Sequence, residues 1–277
     1  MLKQRIITAV LLLLVLLPAL FYPAPAPFVV VALVLICAGA WEWARLNGQK
    51  GGRALAWAAV TTAGLALMWW SGGLDADWTV IWWVTAVLWA VLSIVLPIKG
   101  VTAWQTWPVA IRLVLGLFLL GAAWLALVQA KAHGLPFLLS VLTLVWAADI
   151  FAYVGGKTMG RHKLAPSISP GKTWEGAITG AVGVLALAFG WLWFDGQGWL
   201  DGLSLFSHLR NLGWPWFVAA VAALVAMSVV GDLIESLVKR SAGVKDSSRL
   251  LPGHGGVLDR VDALLPVLPV AMWLISL

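Results

Sequence analysis

Charged residues are scarce in this 277-residue chain, at 11% against about 25% in soluble domains. Hydrophobic residues make up 62%. The only cysteine is Cys37, so no internal disulfide supports the fold, and we interpret this residue as a small packing side chain. The composition therefore excludes an ordinary soluble protein and favours an integral membrane protein.

Several familiar catalytic patterns are missing as well. No HExxH occurs and the four histidines are scattered, which argues against a histidine-rich zinc site. Neither Gly-Lys-Thr run, at 156–158 or at 171–173, is preceded by the glycine that a Walker phosphate loop needs. Phe151 and Pro166 occupy those positions. No serine or cysteine nucleophile arrangement is evident.

Long apolar stretches predict an all-α, polytopic integral membrane bundle of about nine transmembrane helices. They are expected at 6–21, 28–44, 54–70, 79–97, 111–130, 136–155, 177–194, 214–231 and 261–276. The start of the chain resembles a secretory signal, but Pro27 disfavours cleavage and further spans follow. We therefore interpret it as a retained first helix.

The basic residues predict the orientation. Of the 18 Lys and Arg residues, all but Lys131 and Arg210 fall in segments on one side of the predicted membrane. The positive-inside rule makes that side cytoplasmic and places the N-terminus there. We divide the chain into N-terminal transmembrane helices (1–135), expected to face lipid and a dimer partner, and a catalytic part (136–277) with cytoplasmic loops at 156–176 and 232–260.

The first of two polar cytoplasmic segments runs from 149 to 175. Asp149 lies near the inner end of the sixth predicted helix, where an ionisable residue is costly and suggests a functional role. The glycines and Lys172 that follow are compatible with phosphate binding by exposed backbone N–H groups and positive charge. A solvated basic loop explains this segment equally well on its own.

The second segment runs from 231 to 262. Asp232 ends the eighth predicted helix, while Asp259 and Asp262 open the ninth at a spacing that puts both on one face. Carboxylates of this kind suit Mg²⁺, which usually adds waters and substrate phosphates. The glycine-rich turn at 253–256 allows a close backbone approach. A salt-bridge network explains part of the charge, such as Glu235 and Arg249, but not the paired acids beside the turn.

Residues 236–262 resemble the signature of the phosphatidate cytidylyltransferases (CDP-diacylglycerol synthases). The matching positions are Ser236, Lys239-Arg240, Lys245-Asp246, the Pro-Gly-His-Gly-Gly run at 252–256, and Asp259-Arg260-Val261-Asp262. The first segment is also similar to that family, at Asp149, Ala152-Tyr153, the Gly-Arg-His-Lys run at 160–163 and the run from Ser169 to Glu175.

The resemblance implies transfer of CMP from CTP to phosphatidic acid, with one or two Mg²⁺ ions as cofactor, by a homodimer at the cytoplasmic face of a bacterial inner membrane. No nucleic-acid partner is expected. It implies metal binding by Asp232, Asp259 and Asp262, with Asp246 as a supporting acid. His254 is expected to contact a phosphate or the leaving group. The expected substrate-binding residues are Asp149, Ser169, Lys172, Lys239, Arg240, Lys245 and Arg260.

Two other functions stay open at this point. A CTP-using polyprenol kinase would phosphorylate a lipid alcohol and release CDP. A transporter would use the acids in its helices to carry ions, although it leaves the lysine-rich signature unexplained.

Overall fold

The computed structural model of the protein describes residues 2–277, which form twelve α-helices and one small β-hairpin. The helices are α1 (Leu2–Phe21), α2 (Ala26–Leu46), α3 (Gly52–Trp70), α4 (Thr79–Lys99), α5 (Val101–Thr106), α6 (Val109–Ala132), α7 (Leu135–Met159), α8 (Trp174–Gly196), α9 (Leu205–Asn211), α10 (Trp214–Ser241), α11 (Leu258–Val261) and α12 (Leu264–Ile275). The strands are β1 (Lys163–Ala165) and β2 (Ser169–Thr173). Each helix predicted from the sequence corresponds to a helix of the structure.

Seven helices within residues 2–277 are long and apolar enough to cross a bilayer: α1, α2, α4, α6, α7, α8 and α10. The all-α, polytopic membrane architecture is therefore confirmed. By contrast α12 has 12 residues, and at about 1.5 Å per residue it is too short to span a hydrocarbon core of about 30 Å. The number of crossings and the side of the N-terminus stay predictions.

The short helix α12 forms the centre of the bundle. Its residues are almost all buried, and it packs against α4, α6 and α10. Because the longer helices surround it, α12 has no need to match the bilayer thickness itself. Its N-terminal end follows α11 directly, so Asp259 and Asp262 lie next to this central helix.

At two glycines of α8, the backbones of α7 and α8 lie too close together for a side chain to fit between them. A Cβ atom on Gly176 would come within 2.7 Å of the Ala152 carbonyl oxygen, and one on Gly180 within 3.0 Å of the Ala148 carbonyl oxygen. Small residues permit such backbone contact between membrane helices. The close contact holds the C-terminal half of α7 beside the start of α8.

The hairpin between α7 and α8 was not predicted. Its strands are antiparallel, with Lys163 opposite Thr173 and Ala165 opposite Ser169. Thr173 ends the hairpin and caps α8, because its hydroxyl accepts a hydrogen bond from the Gly176 N–H at 3.1 Å. The cap fixes where β2 stops, and with it the position of Lys172.

Helix α10 extends beyond its predicted end at residue 231 and continues to Ser241. Polar residues after 231 suggested a loop, but they pair along the helix. Lys239 forms an ion pair with Glu235 at i, i+4, and Ser236 donates a hydrogen bond to Asp232 at 3.1 Å; pairs at this spacing stabilise helices. The first part of the predicted loop 232–260 is therefore helical.

Candidate active site

A cavity of about 400 Å³ lies where the C-terminal halves of α7 and α10 meet α8 and the hairpin. Its polar lining consists of Asp149 and Tyr153 on α7, Asp232 on α10, and Ser169, Lys172 and Thr173 on β2. The other walls are small or apolar, and include Ala148, Ala152, Gly176, Ala177, Val225 and Val229. The cavity therefore has a charged region and an apolar region next to each other.

Lys172 provides the positive charge of this cavity. Its Nζ lies 2.8 Å from Asp232 Oδ2 and donates a hydrogen bond to the Val229 carbonyl at 3.3 Å. Asp149 is near enough to interact electrostatically with both members of the pair. One lysine thus stands among carboxylates from two different helices.

Asp262 is brought next to Asp232 by a backbone contact. A Cβ atom on Gly231 would lie only 2.3 Å from the Asp262 carbonyl oxygen, so α10 and the segment after α11 touch without an intervening side chain. Asp262 Oδ1 accepts a hydrogen bond from the Ala263 N–H at 2.8 Å. Its carboxylate interacts electrostatically with Asp232 and with Lys172.

Asp259 belongs to a separate, more enclosed cluster. Its Oδ1 lies 2.6 Å from Lys239 Nζ, and its Oδ2 accepts hydrogen bonds from Ser247 N at 2.9 Å, Ser247 Oγ at 2.8 Å and Gly256 N at 2.7 Å. Burial alone would raise the pKa of Asp259, but the hydrogen bonds from Lys239, Gly256 and Ser247 together hold the pKa below its usual value. Asp259 therefore joins α10 to the loop between α10 and α11.

The turn at 252–256 is held from two directions. Arg260 donates hydrogen bonds from Nε and Nη2 to the His254 carbonyl, at 3.0 and 2.6 Å. From the first helix, Arg5 Nε donates to the Gly253 carbonyl at 3.0 Å and Thr8 Oγ1 to the Pro252 carbonyl at 2.9 Å. The buried Nδ1 of His254 has no hydrogen-bond partner within residues 2–277.

A buried carboxylate from the N-terminal half also reaches this loop. Glu42 on α2 is completely buried and accepts hydrogen bonds from both ends of the segment 247–258. The four donors are Ser247 Oγ, Ser248 Oγ, Val257 N and Leu258 N. The loop that carries the predicted catalytic turn is therefore tied to α2.

Comparisons with known proteins show the family of this chain. A model of the cytidylyltransferase family matches residues 3–277. The chain belongs to the cytidylyltransferase family. A phosphatidate cytidylyltransferase of Pseudomonas aeruginosa is 42% identical over 279 residues, covering 98% of this chain and 95% of the relative. One of Haemophilus influenzae is 36% identical over 289 residues, covering 97% and 96%. A chloroplast phosphatidate cytidylyltransferase of Arabidopsis thaliana is 44% identical over 151 residues, covering 52% of this chain and 34% of the relative.

In this member of the cytidylyltransferase family, the site residues predicted from the sequence fall into three places. The cavity and its border contain Asp149, Ser169, Lys172, Asp232 and Asp262. The enclosed cluster contains Lys239 and Asp259. The side chains of the remaining predicted residues lie on the loop and its flanks, where Arg240, Lys245, Asp246 and Arg260 are exposed and His254 is half-buried.

Asp232 and Asp262 fit a divalent cation better than Asp259 does. Within residues 2–277 no group of three or more His, Cys, Asp or Glu side chains is arranged to hold a metal ion. Mg²⁺ needs only one or two carboxylates, since waters and substrate phosphates complete its shell. Asp232 and the neighbouring Asp262 meet that requirement. Asp259 is less available, because both of its oxygens already accept hydrogen bonds from the protein.

Sequence reasoning missed Glu42 entirely. The available signal was a carboxylate within an apolar helix, which is costly at membrane depth unless it is paired. The pairing with Ser247 and Leu258 could not be foreseen, because more than 200 residues separate the partners. The salt-bridge interpretation of Glu235 is confirmed by its contact with Lys239.

Proposed function

We propose that this protein transfers CMP from CTP to phosphatidic acid, which gives CDP-diacylglycerol and pyrophosphate. The observation that carries the proposal is the Lys172–Asp232 pair in a cavity that also has apolar walls. Such a cavity accepts a phosphate group and the start of an acyl chain together. The nearly full-length similarity to proteins named for this activity supports the same reaction.

The transfer is a displacement at phosphorus. A phosphate oxygen of phosphatidic acid attacks the α-phosphorus of CTP and forms the new P–O bond. The bond from the α-phosphorus to the oxygen that bridges to the β-phosphate breaks, and pyrophosphate leaves with that electron pair. No general base is needed, because a phosphate monoester is already ionised near neutral pH. Catalysis of this kind depends on positioning and charge stabilisation.

The chain supplies positive charge in two forms. Lys172 lies inside the cavity, where it can bind the phosphate of the lipid or the α-phosphate of CTP. Arg240, Lys245 and Arg260 are exposed on or beside the loop, where they can hold the pyrophosphate portion of the nucleotide. We assign His254 to a phosphate oxygen, and the absence of a hydrogen-bond partner at its Nδ1 within residues 2–277 supports this role. This distribution separates the lipid phosphate from the triphosphate tail.

We propose Mg²⁺ as the cofactor, held by Asp232 and Asp262, with Asp246 as a supporting acid. Asp259, which the sequence predicts as a third ligand, is less suited to this role because both of its oxygens accept hydrogen bonds from the protein. When bound, the metal ion would neutralise the negative charge that develops on the phosphate oxygens. The support for it is the donor set, since two neighbouring carboxylates and substrate phosphates form a hard oxygen environment.

We also propose that the site faces the cytoplasm from a bacterial inner membrane and that the protein acts as a homodimer. The asymmetric distribution of lysine and arginine supports the orientation. A cytoplasmic site agrees with the substrates, because CTP is a soluble nucleotide and phosphatidic acid is a bilayer lipid.

The test is an incubation of purified protein in detergent with phosphatidic acid, Mg²⁺ and CTP labelled in one phosphate at a time. The proposal predicts that label in the α-phosphate enters the lipid and that label in the γ-phosphate appears in pyrophosphate. In a parallel incubation with a polyprenol in place of phosphatidic acid, entry of the γ-label into the polyprenol would instead indicate the kinase. Ion flux into liposomes without any CTP turnover would indicate the transporter, and either result would refute the proposal.

A further inference from the structure

Glu42 stands out among the acids because it is completely buried inside a membrane helix. Burying an ionised carboxylate without partners is prohibitively costly. Glu42 accepts two hydrogen bonds on each oxygen. Oε1 accepts from Ser248 Oγ at 2.5 Å and Val257 N at 3.0 Å. Oε2 accepts from Ser247 Oγ at 3.2 Å and Leu258 N at 2.8 Å.

These four donors come from the two ends of one loop. Ser247 and Ser248 precede the turn, and Val257 and Leu258 follow it. A single carboxylate therefore closes the loop at its base. The contact is tight: a Cβ atom on Gly256 would lie 2.2 Å from Glu42 Oε1 and 2.1 Å from Ser247 Oγ. Only glycine fits between the carboxylate and the loop.

The base of the loop also binds Asp259. Ser247 contacts both carboxylates, and Gly256, which lies against Glu42, donates its N–H to Asp259. Asp262 follows Asp259 by one helical turn. A shift of the loop base away from α2 would therefore move Asp259 and Asp262 together.

We propose that Glu42 is a positioning residue for the reaction: its carboxylate fixes the base of the 247–258 loop and thereby places Asp259 and Asp262. This inference rests on the proposed function. It assigns a role in the site to the N-terminal half of the chain, which the signature segments do not include.

The first test replaces Glu42 by Gln, which keeps the size of the side chain. The amide NH₂ cannot accept a hydrogen bond, so either the Val257 or the Leu258 N–H loses its partner, whereas the serine hydroxyls can rotate. We expect kcat to fall about 100-fold, the usual effect of moving catalytic groups by about 1 Å. The KM for CTP should change much less, because the lost positioning acts on the transition state.

Ser140→Ala is the matched control. Ser140 Oγ is buried in α7 and accepts a long-range hydrogen bond from the Leu205 N–H at 2.8 Å, away from the loop. This variant also leaves a buried backbone N–H unpaired, and it should lose stability without losing kcat. An equal loss of kcat in both variants at matched loss of thermal stability would overturn the proposal, as would a wild-type kcat for Glu42→Gln.

Two further measurements keep the test decisive. If Glu42→Gln does not fold, Glu42→Asp keeps the charge but shortens its reach. It should show a smaller loss of kcat, and an unchanged kcat would overturn the proposal.

Hydrogen exchange of residues 244–262, compared with that of residues 135–159, can be measured without any turnover. Faster exchange of the first segment alone in Glu42→Gln supports the anchor even if wild-type protein does not use CTP, and unchanged exchange overturns it.

Discussion

Gly231 is the point at which α10 touches the backbone that carries Asp262, and its replacement by alanine gives a sharp prediction. The added Cβ would lie 2.3 Å from the Asp262 carbonyl oxygen, 2.9 Å from Pro266 Cδ and 3.0 Å from Ala263 Cα. None of these atoms can move away by a simple side-chain rotation. The two segments must therefore separate by about 1 Å to restore an ordinary contact distance.

The separation has two calculable consequences. Overpacking of a tight contact costs about 1–3 kcal/mol of stability. The same movement pulls Asp232, the next residue on α10, away from Asp262, and a displacement of about 1 Å in a catalytic arrangement costs about 100-fold in rate. We therefore expect Gly231→Ala to remain folded but to lose most of its turnover.

The assay measures initial rates of CDP-lipid formation and thermal unfolding in the same detergent. Gly64→Ala is the control, because Gly64 lies in α3 and a Cβ atom there would meet nothing within 4 Å. Its kcat should equal that of the wild type. If Gly231→Ala folds and turns over at the wild-type rate, the backbone contact does not position the two acids and the reasoning is wrong.

Three further predictions concern charge. Lys172→Met should lower kcat/KM about 100-fold in initial-rate assays, because it removes the positive charge from the cavity; a wild-type value would contradict this role. Chelation by EDTA should abolish turnover and added Mg²⁺ should restore it. The pKa of Asp259 is lowered in the folded protein from its usual value of 3.8. The ionised carboxylate therefore stabilises the fold fully at a pH above 3.8, and this contribution is lost as the pH falls through the lower pKa of the folded state. The difference in melting temperature between wild type and Asp259→Asn should therefore be constant above about pH 5 and shrink in stronger acid.

Much of the fold was predictable because the membrane imposes a simple rule. Apolar stretches must form helices, since the bilayer offers no partner to an exposed backbone group. The ends of the helices were harder to predict. Helix α10 was expected to stop where polar residues begin, but Asp232, Ser236, Glu235 and Lys239 pair at i, i+4 and extend the helix to Ser241. Polarity indicated the membrane boundary and not the end of the helix.

The hairpin was unpredictable for a different reason. Its second strand, Ser169–Thr173, contains proline and glycine and has no alternation of polar and apolar residues, so it lacks the usual strand pattern. Contacts at both ends of the hairpin hold it in place. Thr173 caps α8, and Glu175 accepts a hydrogen bond from His162 Nδ1 at 2.6 Å. The second of these contacts joins the residues that precede β1 to the first turn of α8, so it depends on the hairpin itself and leaves no pattern in the sequence.

The candidate site shows what charge patterns can and cannot predict. The signature indicated a set of charged residues, and it treated Lys172 and Lys239 alike as phosphate ligands. The structure separates them. Lys239 contacts both Glu235 and Asp259, and its side chain is 12% exposed, with its partners at 4% and 7%. Lys172 contacts one carboxylate, and the two side chains are 23% and 34% exposed.

This difference decides which lysine can exchange a carboxylate for a phosphate. Removing Lys239 from its partners would leave buried carboxylates without a cation, and breaking a buried pair typically costs about 3–5 kcal/mol. Asp232 is more exposed, and an incoming Mg²⁺ ion could compensate its charge when Lys172 moves to a phosphate. Lys172 is therefore suited to bind substrate, while Lys239 is suited to hold Asp259, and with it the loop anchored by Glu42, in place.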